Sequence, residues 1–236
     1  MKNGLLLMMS IVLLAMTSCL KEGEQTLSGD QQMFYVGKTT EGLKYAYDGK
    51  IAITSTQINN VQDIDRWYVL SWSWNTSMGF EGQSIYKAAT SELTPIPTGS
   101  FLLSSVPANE PINLLKGFQP YSQMRLSKSM GDYLLYNVTY EKKEGEAIAL
   151  KFYSDLKVSS NTPNVYPIDV RIYKTGTGVG DAKLVTETFA VKMSALRSLV
   201  TLTDNQYMDG VTLRYNFNIN ATTPETIDVN QTILKD

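Results

Sequence analysis

The chain has 236 residues, with 21 basic and 23 acidic side chains, a net charge of −2, 3 tryptophans and 14 tyrosines. It has no histidine and a single cysteine. This excludes internal disulfides, Ser-His-Asp and Cys-His nucleophile systems, and zinc, copper or haem sites built on those ligands. The balanced, slightly acidic charge without a basic stripe argues against a nucleic-acid partner.

In chain order, the first feature is an apolar run from Leu5 to Met16, preceded by Lys2 and followed by Thr17-Ser18-Cys19. One early positive charge, an apolar core and small residues predict a secretory signal peptide over 1–18. The run is too short to span a bilayer, which takes roughly 20 residues. An exported thiol with no partner would be open to oxidation, whereas an acylated one is an anchor. Cleavage before Cys19 and lipid attachment to its sulfur are therefore expected. Each buried methylene of the acyl chains would add about 0.8 kcal/mol of anchoring. The alternative is an ordinary signal peptide with an incidental cysteine. The predicted address is the cell envelope, lipid-anchored, at the outer membrane, with the periplasmic and surface faces both open.

Residues 19–32 carry Lys21, Glu22, Glu24, Gln25, Ser28 and Asp30 among few apolar residues, and are predicted to be a polar tether. A first β unit is predicted over 33–105, with strands near Leu43–Tyr47, Ile51–Ser55 and Trp67–Trp74, and at most a short edge strand over Phe101–Val106 in the proline-rich stretch around its end. The Trp67–Trp74 strand alternates. Tyr68, Leu70, Trp72 and Trp74 share one face, against Val69, Ser71 and Ser73. Five of the eight prolines (Pro95, Pro97, Pro107, Pro111 and Pro120) then cluster, with Gly99 and Gly117 among them. Proline cannot donate to a central ladder, so 106–124 reads as a connector.

A second β unit is predicted over 125–236. Leu134, Tyr136, Val138 and Tyr140 alternate with Leu135, Asn137 and Thr139, and Ile148, Leu150 and Phe152 follow a turn at 142–146, which suggests a hairpin. Ile168, Val170 and Ile172 form the next strand, and Leu213, Tyr215, Phe217 and Ile219 another. One apolar and one wet face suit antiparallel sheets. Only 194–199 hints at a helical turn. The expected fold class is all-β, with an antiparallel sandwich as the second unit.

Two readings stand for the aromatic face Tyr68, Trp72 and Trp74. It is either core, since each ring buries some 150–250 Å² there, or a platform for sugar rings, with Trp74 at its exposed end. Gly176-Thr177-Gly178-Val179-Gly180-Asp181 superficially suggests a phosphate loop. Such a loop needs a helix after it, and the residues that follow look like strand, so a flexible hairpin connection is expected. Asp63 and Asp65 lack the fixed oxygen-donor spacing of a calcium loop. No metal site, cofactor or catalytic residue is predicted.

Several strands resemble those of the NigD-like lipoproteins of Bacteroidota. Asp65-Arg66-Trp67-Tyr68-Val69-Leu70-Ser71-Trp72-Ser73 resembles the family's Asp-Arg-Val strand. Asp132-Tyr133-Leu134-Leu135-Tyr136-Asn137-Val138-Thr139-Tyr140 is similar to its Tyr-Leu-Asn strand. The strand from Ile168 to Tyr173 resembles its Leu-Arg-His strand, with tyrosine in place of histidine. The stretch Thr188-Phe189-Ala190-Val191-Lys192-Met193-Ser194-Ala195-Leu196 is loosely similar to its Ser-Phe-Asp-Leu-Ser pattern. Of the family's acidic Asp-Asp-Gly turn only Asp48-Gly49 is present. The resemblance implies an OB-like β-barrel followed by a β-sandwich, no enzymatic activity, and a link to a bacteriocin locus. The function expected from all this is a membrane-anchored, non-enzymatic binding module. Its partners would be the membrane, through lipid on Cys19, and another envelope protein. The alternative is a glycan-binding surface lipoprotein that uses the aromatic face.

Overall fold

The computed structural model describes residues 25–109, 113–121, 124–155, 164–198, 208–220 and 223–235, with the side chains of 208 and 209 excepted. Cys19, the signal segment, the start of the tether, Pro111 and Leu199 lie outside the described residues. No helix among those described is long and apolar enough to cross a membrane.

The first unit contains β1 (Thr26–Lys38), β2 (Lys44–Tyr47), β3 (Ala52–Thr54), α1 (Thr56–Asn60), β4 (Arg66–Asn75), β5 (Phe80–Glu81), β6 (Ile85–Lys87), β7 (Ala89–Thr90) and β8 (Thr94–Pro95). Its strands hydrogen-bond in the order β5-β6-β3-β2-β1-β4-β7, with β8 also on β4. The side chains alternating along β4 drive this assembly. Tyr68, Leu70, Trp72 and Trp74 pack with Phe34, Val36, Ile53 and Ile58 into one core. The Ser55 hydroxyl accepts from the Ile58 N–H, capping α1 and setting Ile58 into that core. The pairing path is open, and β3 and β6 are parallel. The unit is therefore a mixed sheet, and an OB-like barrel is not established by its pairing.

Strand β1 corrects the tether. Thr26 already pairs with Asn75, Leu27 with Trp74 and Ser28 with Ser73, so 26–32 belong to the sheet. A polar composition hid this, because a ladder is held by backbone groups that every residue carries. One polar side chain also serves the core, since Gln32 Oε1 accepts from Trp72 Nε1 at 2.9 Å.

The second unit contains β9 (Thr98–Leu102), β10 (Leu115–Pro120), β11 (Arg125–Leu126), β12 (Tyr133–Glu144), β13 (Ala147–Tyr153), β14 (Val165–Thr175), β15 (Val179–Lys192), α2 (Ser194–Arg197), β16 (Met208–Asn218) and β17 (Pro224–Leu234). The order is β10-β12-β15-β9-β13-β14-β16-β17-β11. Its two halves fold onto each other. Phe118 of β10 meets Phe217 of β16 at 5.1 Å between ring centroids, and Tyr136 of β12 meets Tyr215 of β16 at 5.6 Å. That face-to-face packing around one core is the expected sandwich.

Five expectations about this unit change. Strand β9, placed in the first unit, pairs with β15 through Thr98 and Gly99 and with β13 through Ser100 to Leu102. Strand β10 lies inside the stretch read as connector and pairs with β12. Proline is tolerated there because β10 is an edge strand. The hairpin and the glycine-rich connection fare alike. β12 pairs with β10 and β15 whereas β13 pairs with β9 and β14, so the turns at 142–146 and 176–178 cross from one layer to the other. The ladders β9–β13, β9–β15, β14–β16 and β11–β17 are parallel, so the sandwich is mixed, not purely antiparallel.

Candidate functional site

The two units meet at a seam built by the first residues of β4 and β12. Trp67 and Tyr68 are both buried, on opposite faces of β4. Tyr68 lies in the first core, and Trp67 packs with Tyr35, Ile96, Tyr133, Leu135 and Ala190 between the units. In β12, Tyr133 and Leu135 face the seam while Leu134 and Tyr136 face the second core. Leu135, expected on a wet face with Asn137, is thus buried by the other unit.

Each of these strands is entered through an aspartate with left-handed backbone, Asp65 at φ 60° and Asp132 at φ 57°. Asp65 holds the seam, because Tyr35 Oη donates to its carboxylate at 3.1 Å and Tyr133 Oη donates to its carbonyl at 3.1 Å. Burial and then the Asp65 charge push the Tyr35 hydroxyl well above the usual phenol range. Burial raises Tyr133 too, partly offset by Arg66. Both hydroxyls therefore remain protonated donors at neutral pH. Asp132 pairs with Arg197 at 2.5 Å, and the same guanidinium reaches the carbonyls of Leu126 and Leu234. This fixes β11, the start of β12 and the end of β17 together.

Beside the seam lies a cleft of about 570 Å³ walled by both units. Met33, Trp67 and the Tyr47–Lys50 turn come from the first, and Met124, Arg125, Met130, Leu135 and Leu234 from the second. The turn is shaped by Asp48, whose carboxylate accepts from the Lys50 and Ile51 N–H groups at 2.8 Å each, and by Gly49 at φ 98°. Lys50 and Arg125 are exposed, and neither is in an ion pair among the described residues. Trp67 is 3 % exposed, and its indole N–H has no hydrogen-bond partner among the described residues. A buried donor left unpaired costs about 1–3 kcal/mol, so this one needs a reason.

The aromatic platform is corrected. Tyr68, Trp72 and Trp74 are 5 %, 6 % and 5 % exposed, packed in the first core with their polar atoms engaged. Tyr68 Oη donates to Asp63 O at 2.6 Å, and Trp74 Nε1 donates to Gly79 O at 2.8 Å. No ring face is left for a sugar, so the glycan reading loses its motivation. The tryptophan that lines the cleft is Trp67, on the opposite face of the same strand. Its signal in the sequence was the adjacent bulky pair Trp67-Tyr68, which breaks strict alternation. The Asp48-Gly49 turn, quoted for the family resemblance, also lines this cleft.

No family model matches the chain, and no curated protein matches it. Solved structures do. An uncharacterized protein from Parabacteroides merdae superposes with a TM-score of 0.61 at 14 % identity, over 88 % of this chain and 97 % of that one. The chain has the fold of that protein. It is also similar to a NigD-like immunity protein from Bacteroides caccae, at TM-score 0.51 and 14 % identity over 89 % of this chain and 99 % of the other. A presumed lipoprotein from Bacteroides fragilis matches at TM-score 0.52 and 11 % identity, over 90 % and 99 %. The resemblance read from the strand motifs therefore extends to the architecture of both units.

Proposed function

We propose that the chain is a lipid-anchored protein of the bacterial cell envelope that works by binding another envelope or incoming protein, not by catalysis. The observation that carries this is the only cysteine of the chain, Cys19, placed directly after a 12-residue apolar run and two small residues. A sulfur there is an attachment point. The fold shared with a NigD-like immunity protein and a presumed lipoprotein supports the same reading. The all-β architecture supports it further, because it builds a cleft between two rigid units, a common place for binding sites.

The address is tested by Cys19→Ser. The parent chain is expected in the membrane fraction, with a mass increased by acyl groups on the N-terminal peptide. The variant is expected to lose both. An acylated variant that still sediments with membranes would sink the assignment. The binding role is tested by crosslinking in the native envelope, where one reproducible partner is expected. A repeatedly empty result counts against it.

A further inference from the structure

We infer that the cleft between the units takes a short peptide segment of a partner protein, one that carries a large aliphatic side chain next to an acidic residue. This deepens the binding role proposed above and rests on it. Three features specify the ligand. The walls carry Met33, Met124 and Met130, whose unbranched thioether side chains adapt to an aliphatic group of varied shape. Trp67 lines the same cleft, and its buried indole N–H has no hydrogen-bond partner among the described residues. Displacement of the methionine side chains would open it to an acceptor, and a peptide offers a carbonyl at every residue. At the exposed level Lys50 from one unit and Arg125 from the other have no ion-pair partner among the described residues, which suits a carboxylate.

The separation of these groups by depth chooses between ligand classes. A fatty acid has one polar end, which could serve the exposed cations or the buried N–H, but not both. A peptide with an acidic side chain has a carboxylate for the first and a carbonyl for the second. Asp48 is the one acidic side chain among the described lining residues, against the two cations Lys50 and Arg125, and two backbone N–H groups hold its carboxylate in the turn.

The chain has three tryptophans, so a ¹⁵N-tryptophan label gives three indole signals. Two of these N–H groups, on Trp72 and Trp74, are already bonded within the first core. The full chain in lipid nanodiscs would be titrated with acetyl-Glu-Leu-Leu-Glu-amide, with acetyl-Lys-Leu-Leu-Lys-amide and decanoate as controls. The expected result is a saturable shift of one indole signal, absent in Trp67→Phe, with the acidic peptide alone. Reversal of the exposed charges in Lys50→Glu/Arg125→Glu should weaken binding about tenfold or more, the scale of a lost charge-assisted hydrogen bond. These two side chains are exposed, so that variant keeps the fold. No shift at millimolar acidic peptide, an equal shift with the basic one, a shift with decanoate, or an unchanged affinity after charge reversal would each overturn the inference. If Cys19→Ser shows no anchoring defect but the peptide response stands, the envelope address alone fails. Anchoring without the response removes this inference and leaves the address.

Discussion

At the residue scale, the aromatic side chains act mainly as structure. Trp74 touches Phe80 and Tyr86 at ring-centroid distances of 5.3 and 4.9 Å and is buried behind them. Trp74→Ala is expected to cost about 3–5 kcal/mol in denaturant unfolding, the usual loss for a buried tryptophan. A change below 1 kcal/mol, on the order of a surface substitution, would return Trp74 to the role of a surface residue. In the second core, Tyr136 and Tyr215 bring their hydroxyls to 2.9 Å with no exposure to solvent. Tyr136→Phe or Tyr215→Phe alone leaves one buried hydroxyl unpaired and should cost about 1–3 kcal/mol. The double variant should recover much of that loss, because neither orphan remains. Simple addition of the two costs in a double-mutant cycle would contradict the pairing.

At the element scale, β9 is the strand on which the second unit turns from one layer to the other. Its pairing changes partner after Gly99, and a Cβ at that position would lie 2.8 Å from Val191 Cγ2 and 3.1 Å from the Leu150 carbonyl. Gly99→Val is expected to destabilise the chain by about 1–3 kcal/mol through overpacking against the Val191 side chain and the Leu150 carbonyl. Thermal unfolding measures it, and an unchanged melting temperature would show that the crossing is looser than described. Gly99 was visible in the sequence only as part of a proline- and glycine-rich stretch. Composition there pointed to a connector, while the close approach of two other strands is what requires the glycine. Strand β1 shows the opposite limit. Its polar half, 26–32, is held by β4 and carries almost no apolar signature of its own.

At the scale of the whole molecule, the seam makes two β units behave as one body. Leu135 is 2 % exposed and sits among Tyr35, Trp67 and Tyr133, with the Tyr35 and Tyr133 rings 6.3 Å apart. Leu135→Lys would bury an unpaired ammonium there, which is strongly unfavourable. Calorimetry is expected to show the single transition of the parent split into two, as the units unfold separately. A single transition at lower temperature would instead mean that the units depend on each other to fold. The seam also sets the site. The cleft, the unpaired Trp67 N–H and the two exposed cations exist as a group only because the units are docked.

From the sequence alone came the β class, most strand positions and the core faces of β4, β12, β14 and β16. These depend on local alternation and on residue chemistry that stays legible one strand at a time. The tertiary structure decided which strand joins which layer, because pairing links residues far apart in the chain and the same alternating strand fits several partners. It also decided the fate of the face opposite each core. Val69 and Leu135 read as the wet side of an amphipathic strand until the other unit is placed against them. Trp67 is the case in which both limits meet. The sequence marked it as one more strand aromatic, and the packing of two units made it a buried donor in the wall of a cleft.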